Sequence, residues 1–276
     1  MFQSSFKASF VKAHQHVFGP RDNRGVGTVV TPPAPFANAR SGSFDGNGVA
    51  TANNVGNTLV GAAGSIIGWV KPSNRLYFLG LINDGATFNV PFNNSAGIIL
   101  NVTSSGTRTI QARVYRPSVA TVIFSSTQAI ASGVWTFFAV AWDGTGADLY
   151  VRAAGSPGPP TKTTSPPAGV QAAAISWGGA DMCLGSYEQS DLSAAFTGNL
   201  DEVATYNKKL SDAEISEIFG DEGLPVALDG LSSSDSLTAW WRFDGPEISQ
   251  VVDQIGGINL TPNGGVALSS DVPSGV

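Results

Sequence analysis

The sequence predicts an all-β protein, built as two stacked antiparallel sheets with one short helix. Glycine and proline are abundant, at 33 and 16 of 276 residues, while charged residues make up only 13%. Short runs of β-branched and aromatic residues recur between turn signals such as Asp45-Gly46 and Asp143-Gly144. The spacing of these runs leaves no room for the helices of βαβ units, so we expect antiparallel sheets.

Fourteen runs carry the strand pattern. They are residues 48–52, 65–71, 76–82, 87–90, 98–102, 109–115, 121–126, 135–142, 147–152, 172–177, 182–186, 196–207, 237–243 and 266–269. The run 135–142, WTFFAVAW, is apolar on both faces, which predicts a central strand covered on each side. Residues 155–169 are rich in proline and glycine, and we expect a surface loop without regular structure there.

One helix is predicted, at residues 211–219. Ser211 is placed to cap its amino end, and Glu214, three residues later, can complete a capping box. Three apolar residues follow at helical spacing: Ile215, Ile218 and Phe219. Gly220 comes where a C-cap glycine belongs, so the helix should end there.

Residues 1–37 are predicted to form an extended, basic N-terminal arm, and residues 38–276 the sandwich. Three prolines near the end of the arm, Pro32, Pro33 and Pro35, favour an extended chain. Residues 1–40 carry a net charge of about +4 and residues 201–276 about −10. This asymmetry favours ordered contacts between copies in a homo-oligomer or multi-copy assembly, or between the basic arm and an acidic neighbour. The candidate partner-binding residues of the arm are Phe2, Phe6, Lys7, Phe10, Lys12, Phe18, Arg21 and Arg24.

The first residues contain no uninterrupted apolar stretch, so we predict neither a signal peptide nor a membrane span. The bases of the arm are spread out, which argues against a nucleic-acid surface. Cys183 is the single cysteine and is predicted to be a buried thiol. A chain without an export signal must leave its cell another way or never leave it. Synthesis in a host cytoplasm and release by lysis, as part of a virus particle, would satisfy the first alternative.

Four segments resemble laminin-G-like domains, which have the concanavalin A-like jelly-roll fold. They are residues 40–49 (RSGSFDGNGV), 65–72 (SIIGWVKP), 134–151 (VWTFFAVAWDGTGADLYV) and 197–219 (TGNLDEVATYNKKLSDAEISEIF). The resemblance implies a jelly-roll sandwich. Domains of this kind serve adhesion, sugar binding and structure alike, so the resemblance does not choose among these functions.

One segment of the resemblance is out of order. Residues 236–245, SLTAWWRFDG, resemble the segment that normally begins such a domain, but here it comes near the end. Too few residues follow for a second sandwich, so we expect C-terminal strands within residues 237–270 to close the first one. With the 236–245 segment last and residues 269–273 (SSDVP) after it, the chain is most similar to laminin-G-like proteins encoded by tailed phages.

A catalytic role is not predicted. Some jelly-roll relatives are glycoside hydrolases, which need two carboxylates on one strand face. Asp201 and Glu202 are adjacent, so a regular strand would point them to opposite faces. Glu214 and Glu217 belong to the predicted helix surface, where capping and solvation account for them.

Calcium is a possible cofactor, and no other is predicted. Members of the wider fold often hold calcium on rim loops through carboxylates. Asp45 and Asp143 are the possible ligands, and Asp84 and Asp181 also lie near turns. Asp-Gly is equally a common hairpin turn, so a purely structural role stays open.

Three aromatic residues are possible glycan-binding platforms: Tyr150, Trp177 and Tyr187. The other tryptophans lie inside apolar strands and are assigned to the core.

Three functions are weighed. The first is a non-enzymatic structural or decoration protein on the exterior of a phage virion, anchored by its arm to coat or other virion proteins. The alternative is a glycan-binding adhesion module that attaches to a host or cell surface. The third, a polysaccharide hydrolase, is disfavoured by the absence of a suitable carboxylate pair.

Overall fold

The computed structural model describes residues 36–74, 76–83, 97–103, 105–115, 122–165, 177–189 and 192–274. Their strands form one sheet of eight strands and one of seven, and all pairings between named strands are antiparallel. The predicted all-β jelly-roll sandwich is therefore confirmed.

The first sheet contains eight strands. They are β1 (Ser41–Asp45), β3 (Gly64–Pro72), β8 (Thr136–Trp142), β9 (Ala147–Ala153), β10 (Thr161–Thr164), β12 (Thr197–Tyr206), β13 (Leu237–Trp241) and β15 (Val266–Ser269). Their order is β10-β9-β8-β3-β12-β1-β15, and β13 also pairs with β12. β12 pairs with β3 on one side, and on the other side first with β1 and then with β13.

The second sheet contains seven strands. They are β2 (Val49–Ala52), β4 (Tyr77–Ile82), β5 (Gly97–Val102), β6 (Ile110–Tyr115), β7 (Val122–Ser125), β11 (Asp181–Leu184) and β14 (Thr261–Asn263). Their order is β14-β2-β11-β4-β5-β6-β7. The strand predicted at 87–90, and all but the last residue of the one predicted at 172–177, lie outside the described residues.

The main core lies between the sheets, because alternate residues of facing strands point inward. In β3, Ile66 and Val70 point into this core, whereas Ile67 and Trp69 point to the outer side of the sheet. Every residue of β8 is buried, as its doubly apolar sequence predicts. The first sheet is therefore covered on both sides. Cys183 is buried as well.

The helix α2 (Asp212–Phe219) covers the outer side of the first sheet. Its predicted capping box is present: the Ser211 hydroxyl accepts from the Glu214 amide, and the Glu214 carboxylate accepts from the Ser211 amide. Phe219 stacks on Trp69 with 5.8 Å between ring centroids. We call this outer surface the sealed face; it includes Ile67, Trp69, Phe137, Tyr206, Ile215, Ile218 and Phe219.

One prediction about the loops is wrong. Thr161–Thr164 lie within the stretch expected to lack regular structure, yet they form β10 and pair with β9. Because β10 is an edge strand, it can be polar on both faces. The structure also contains a one-turn helix, α1 (Gly56–Leu59), and 3-10 turns at Leu228–Gly230 and Ser234–Ser236. Among the described helices, none has the length and apolar character needed to cross a membrane.

The C-terminal strands contribute to both sheets. β13 and β15 join the first sheet through β12 and β1, and β14 joins the second through β2. The connection between β13 and β14 therefore passes from one sheet to the other and forms part of the rim of the sandwich.

Candidate functional site

The outer side of the second sheet carries polar side chains. In β6, Gln111 and Arg113 are half-buried and alternate with Ala112 and Val114, which point into the core. On the neighbouring strand Ile123 is 51% exposed. We call the outer side of the second sheet, from β14 at one edge to β7 at the other, the polar face.

A loop at residues 185–189 crosses the polar face. It rests on β4 at Gly80, where a Cβ atom would lie only 2.0 Å from the carbonyl oxygen of Tyr187. Glycine permits this close approach of two backbones because it has no Cβ. From Tyr187, which lies on β4, the loop continues to Gln189, which lies beside residues of β2 and β14. It therefore separates the edge of the sheet near β14 from the central strands.

A cleft of about 620 Å³ lies in the edge region. We call it the amide cleft because of the polar residues that line it: Thr51, Asn53, Gln189, Asn259, Thr261 and Asn263. Val55 and Ile258 add apolar surface, and none of the lining residues is charged. Amides and hydroxyls can both donate and accept hydrogen bonds, so the cleft matches a neutral ligand rich in hydroxyl groups.

Asp253 fixes the loop that forms one wall of the amide cleft. Its carboxylate accepts hydrogen bonds at 2.8–2.9 Å from the backbone amides of Trp240, Ile255, Gly256 and Ile258. Its own amide donates to the side-chain oxygen of Asn259 at 2.9 Å. Since Asp253 is only 6% exposed, this wall is anchored to the sandwich and holds Ile258 and Asn259 in place.

The centre of the polar face holds aromatic rings and one guanidinium group. Tyr77 and Tyr187 meet edge to face, with 4.8 Å between ring centroids. The guanidinium carbon of Arg113 lies 5.3 Å from the Tyr77 ring centroid, and its Nε donates to Oε1 of Gln111 at 3.1 Å. Burial raises the pKa of Tyr115, and a hydrogen bond from Arg113 opposes that rise. We call these five residues the Tyr–Arg cluster.

Asn101 lies beside the Tyr–Arg cluster, between Tyr77 and Gln111 in the register of the sheet. It is 4% exposed, and its Nδ2 donates to the carbonyl oxygen of Val102 at 3.2 Å. Its Oδ1 has no hydrogen-bond partner within the described chain. A buried acceptor without a partner is unfavourable, and a ligand that donates a hydrogen bond would relieve it.

The aromatic residues considered as sugar platforms are buried. Trp177 is 1% exposed, packs against Trp142 and donates from Nε1 to Gly61, so it belongs to the core and offers no ring face to a sugar. Tyr187, also 1% exposed, belongs to the Tyr–Arg cluster. Tyr150 borders a separate cleft of about 300 Å³ beside α2. Its hydroxyl donates to Asp212 at 2.6 Å, which raises its pKa together with burial, the larger cause.

The possible calcium ligands do not come together. The carboxylates of Asp45, Asp143 and Asp181 each accept hydrogen bonds from backbone amides at turns, and Asp143 also pairs with Lys209 at 3.4 Å. Within the described residues, no group of three or more acidic, histidine or cysteine side chains could hold a metal ion. Asp84 lies outside the described residues. The turn geometry thus accounts for the three described aspartates.

The expectation that Asp201 and Glu202 point to opposite faces is wrong. The pairing of β12 with β3 shifts between Asp201 and Ala204, and Glu202 has a φ of +50°. Such a bulge interrupts the alternation of side chains. Asp201 lies opposite Trp69, and Glu202 accepts a hydrogen bond from Nε1 of Trp240 at 2.6 Å, so both carboxyls lie on the side of the sealed face.

These two carboxyls are closed to a substrate in this structure. Asp201 is 0% and Glu202 2% exposed. Burial raises the pKa of Asp201, and the adjacent Glu202 raises it further. Burial also raises the pKa of Glu202 to about 8, against the opposing effects of Arg242 and Trp240. Asn38 covers the pair by donating to Asp201 at 2.9 Å.

The amide cleft and Arg113 were not predicted from the sequence. Asn53, Gln189 and Asn259 come from distant parts of the chain, and nothing in their local sequence marks them. The alternation of Gln111 and Arg113 in IQARVY was a usable signal, because it places both on one face of a strand. The predicted arm contacts, Phe2, Phe6, Lys7, Phe10, Lys12, Phe18, Arg21 and Arg24, lie outside the described residues.

Comparison with known proteins identifies the family. A laminin-G family model, described as the concanavalin A-like lectin/glucanases superfamily, matches residues 44–216. No curated protein sequence matches the chain. A candidate carbohydrate-binding protein from Bacteroides ovatus is similar in structure, with a TM-score of 0.55 and 14% identity over 85% of this chain and 60% of that one.

A phage protein has a similar fold as well. Full-length tailspike protein 2 from an Escherichia coli O157:H7 bacteriophage has a TM-score of 0.50 and 14% identity, over 67% of this chain and 24% of the tailspike. This chain thus corresponds to only part of each of the two structures, and at 14% identity the likeness is one of fold. The family model, in contrast, matches more than half of the chain. The chain belongs to the concanavalin A-like lectin/glucanases superfamily.

Proposed function

We propose that this chain is a non-enzymatic glycan-binding module and that its polar face is the ligand surface. The observation that carries the proposal is the amide cleft, an uncharged cleft of about 620 Å³ lined by amide and hydroxyl groups. Ligand pockets of roughly 300–1,000 Å³ are typical of small-molecule sites. Family membership and the fold shared with a candidate carbohydrate-binding protein support the same proposal.

The lining of the cleft suits a saccharide for a chemical reason. Each sugar hydroxyl donates one hydrogen bond and accepts others, and side-chain amides supply both functions at fixed positions. Asn53 and Asn263 are exposed, so their amides are available to a ligand. Val55 and Ile258 can contact the apolar face of a sugar ring.

A non-enzymatic role is proposed because of the position of the carboxylates. Glycoside hydrolysis requires two carboxyl groups that reach the scissile bond. The adjacent buried pair, Asp201 and Glu202, lies on the outer side of the first sheet, away from the amide cleft. No carboxylate lines the cleft itself.

The proposal is tested by screening the intact chain against a glycan array, with and without calcium. A hit is then titrated calorimetrically against the wild type and the double variant Asn53→Ala/Asn263→Ala. Loss of two hydrogen bonds of about 0.5–1.5 kcal/mol each should weaken binding by about 5- to 150-fold. Asn207→Ala, at an exposed asparagine after β12, is the matched control and should bind as the wild type does.

The absence of any glycan ligand on the array would refute the proposal. Unchanged affinity in the double variant would instead move the site away from the amide cleft. Binding only in the presence of calcium would direct attention to the turns at Asp45 and Asp143, where the carboxylates already accept backbone hydrogen bonds.

A second proposal concerns location: the chain is a component of a phage virion exterior, anchored to coat or other virion proteins by residues 1–37. Its support comes from the sequence, namely the basic arm with spaced phenylalanines and the phage-like order of the terminal segments. Cross-linking mass spectrometry on native particles, following Lys7 and Lys12, tests it. Links to a different abundant coat-type chain are expected, and links only to its own sandwich would reject the anchoring role.

A further inference from the structure

We propose that Arg113 is a recognition site for the carboxylate of an acidic saccharide. This inference rests on the proposed glycan-binding function and adds the substrate class: a sugar chain that carries a uronic or sialic acid type of carboxylate. The Tyr–Arg cluster would bind the acidic unit, and the amide cleft on the same face would bind neutral units.

The first argument is that Arg113 is held in place from two sides. Its Nε donates to Oε1 of Gln111 at 3.1 Å, and its guanidinium lies over the Tyr77 ring, 5.3 Å from the centroid. Tyr77 is fixed in turn by the edge of Tyr187 at 4.8 Å. A guanidinium oriented in this way loses little side-chain entropy when it binds a ligand.

The second argument is that Arg113 has no carboxylate partner among the described residues. Five bases of the described chain are paired with carboxylates: Lys71 with Asp271, Lys162 and Lys209 with Asp148, Lys208 with Glu214, and Arg242 with Glu202. Arg40, Arg108 and Arg152 have no carboxylate partner in the described chain either, but their guanidinium groups donate to backbone carbonyl oxygens. Arg113 instead contacts a neutral amide, a phenol and an aromatic ring. A half-buried guanidinium without an anion is suited to accept one from outside.

The third argument comes from the hydrogen-bonding groups around Arg113. A planar guanidinium can bind a carboxylate through two parallel hydrogen bonds. The neighbouring Asn101 keeps an Oδ1 without a partner within the described chain. Because this atom is buried, a ligand hydroxyl can donate to it only after the side chains around it have moved. A carboxylate beside hydroxyl groups is the combination found in an acidic sugar.

The test compares glycans that differ only in the acidic group. The array contains the methyl ester of sialyllactose with free sialyllactose, and methyl-esterified with free trigalacturonate. Free acids should bind at least about tenfold more tightly than their neutral counterparts. Arg113→Gln should abolish this preference while leaving the affinity for neutral glycans unchanged. Arg113→Lys should restore only part of it, since an ammonium group cannot make the paired hydrogen bonds.

Arg152→Gln is the matched control, because Arg152 lies in β9 of the other sheet. It should retain the preference, and circular dichroism with thermal unfolding checks that each variant is folded. Binding of acidic glycans should also weaken as sodium chloride rises from 50 to 500 mM.

The outcomes separate the two proposals. Glycan binding without an acid preference, or a preference that survives Arg113→Gln, overturns the Arg113 site and leaves the glycan-binding function standing. An acid preference that is lost equally in Arg152→Gln also overturns the site. Failure to bind any glycan overturns both proposals.

Discussion

The outer sides of the two sheets, the sealed face and the polar face, have opposite surroundings in one sandwich. On the sealed face Trp69 and Phe137 are at most 1% exposed, because Phe219 of α2 packs on both. On the polar face Gln111 and Arg113 are half-buried and Ile123 is 51% exposed. The polar face is buried where Ile82, Ile99, Tyr115 and Tyr187 pack together, and it is exposed at Ile123 near its edge. An apolar outer side needs a cover supplied by the chain, whereas the polar part of an outer side can remain accessible to a ligand.

The strand sequences carry this difference. β8, TFFAVAW, is apolar at every position except its first threonine, so both of its sides require burial. β6, IQARVY, places Gln111 and Arg113 on one side and apolar residues on the other. The helix therefore stabilises the first sheet, and we expect substitutions on the two faces to have different consequences.

The largest expected effect is the loss of the cover on the sealed face. Phe219→Ala removes the ring that packs on Trp69 and Phe137 at 5.8 and 5.5 Å. The resulting cavity should lower the free energy of unfolding by about 3–5 kcal/mol. Denaturant unfolding followed by tryptophan fluorescence measures the change.

Ile123→Ala on the polar face is the matched control for that variant. Since Ile123 is 51% exposed, its truncation should change the free energy of unfolding by no more than about 0.5 kcal/mol. If the two variants lost similar amounts of unfolding free energy, packing on the sealed face would contribute no more to stability than the exposed side chain on the polar face.

The next effect concerns pH. Burial raises the pKa of Glu202 from its ordinary value of 4.5 to about 8. Between these values the folded chain binds more protons than the unfolded chain, so the stability contributed by this group falls as pH rises. The slope is at most about 1.4 kcal/mol per pH unit for one proton.

Glu202→Gln isolates this contribution, because glutamine stays neutral at every pH. The free energy of unfolding of the variant minus that of the wild type should increase steadily from pH 5 to pH 8. Glu222→Gln, at an exposed glutamate, is the matched control for replacing a carboxyl group with an amide. A flat difference for Glu202→Gln would show that the glutamate is already ionised at pH 5 and is compensated by Arg242.

A smaller effect is expected where the loop crosses the polar face. Gly80→Ala places a Cβ atom 2.0 Å from the carbonyl oxygen of Tyr187, so the loop at 185–189 must move. Overpacking of this kind costs about 1–3 kcal/mol, and the displaced loop should also weaken glycan binding.

Gly230→Ala is the control for the loop, because a Cβ atom there would have no neighbour within 4 Å. We expect it to match the wild type in thermal unfolding and in glycan titration. If Gly80→Ala keeps full affinity while losing stability, the position of the loop does not matter for the ligand site.

The sequence predicted the parts of the fold that are specified locally. The helix was predictable because Ser211, Glu214 and Gly220 supply its cap, capping box and end within one short segment. The covering of β8 was predictable from its own residues. The β10 strand was missed because neighbouring Gly and Pro residues suggested a loop, while its pairing depends on β9.

The candidate site was predicted less well, because it depends on contacts between distant segments. Asn53, Gln189 and Asn263 meet only after the two sheets have formed and the C-terminal strands have returned to β2. The face of Glu202 was predicted wrongly, since one bulge reverses the alternation on which the prediction relied. Trp177 has the composition of a binding residue but fills the core.

The smallest expected effect is the loss of the cap at the amino end of α2. It shows whether the stability of the sealed face comes from the packing of aromatic rings or from the helix cap. Ser211→Ala removes the hydroxyl that accepts from the Glu214 amide, which should cost about 1 kcal/mol. Ser216→Ala, on the same helix, removes a hydroxyl that donates to the Asp212 carbonyl, and should cost no more than about 0.5 kcal/mol. Neither variant should alter glycan binding, because both serines belong to α2 or its cap, on the outer side of the first sheet and away from the polar face. If Ser211→Ala destabilised the chain as much as Phe219→Ala, the cover would depend on the helix cap rather than on the rings that it packs over Trp69.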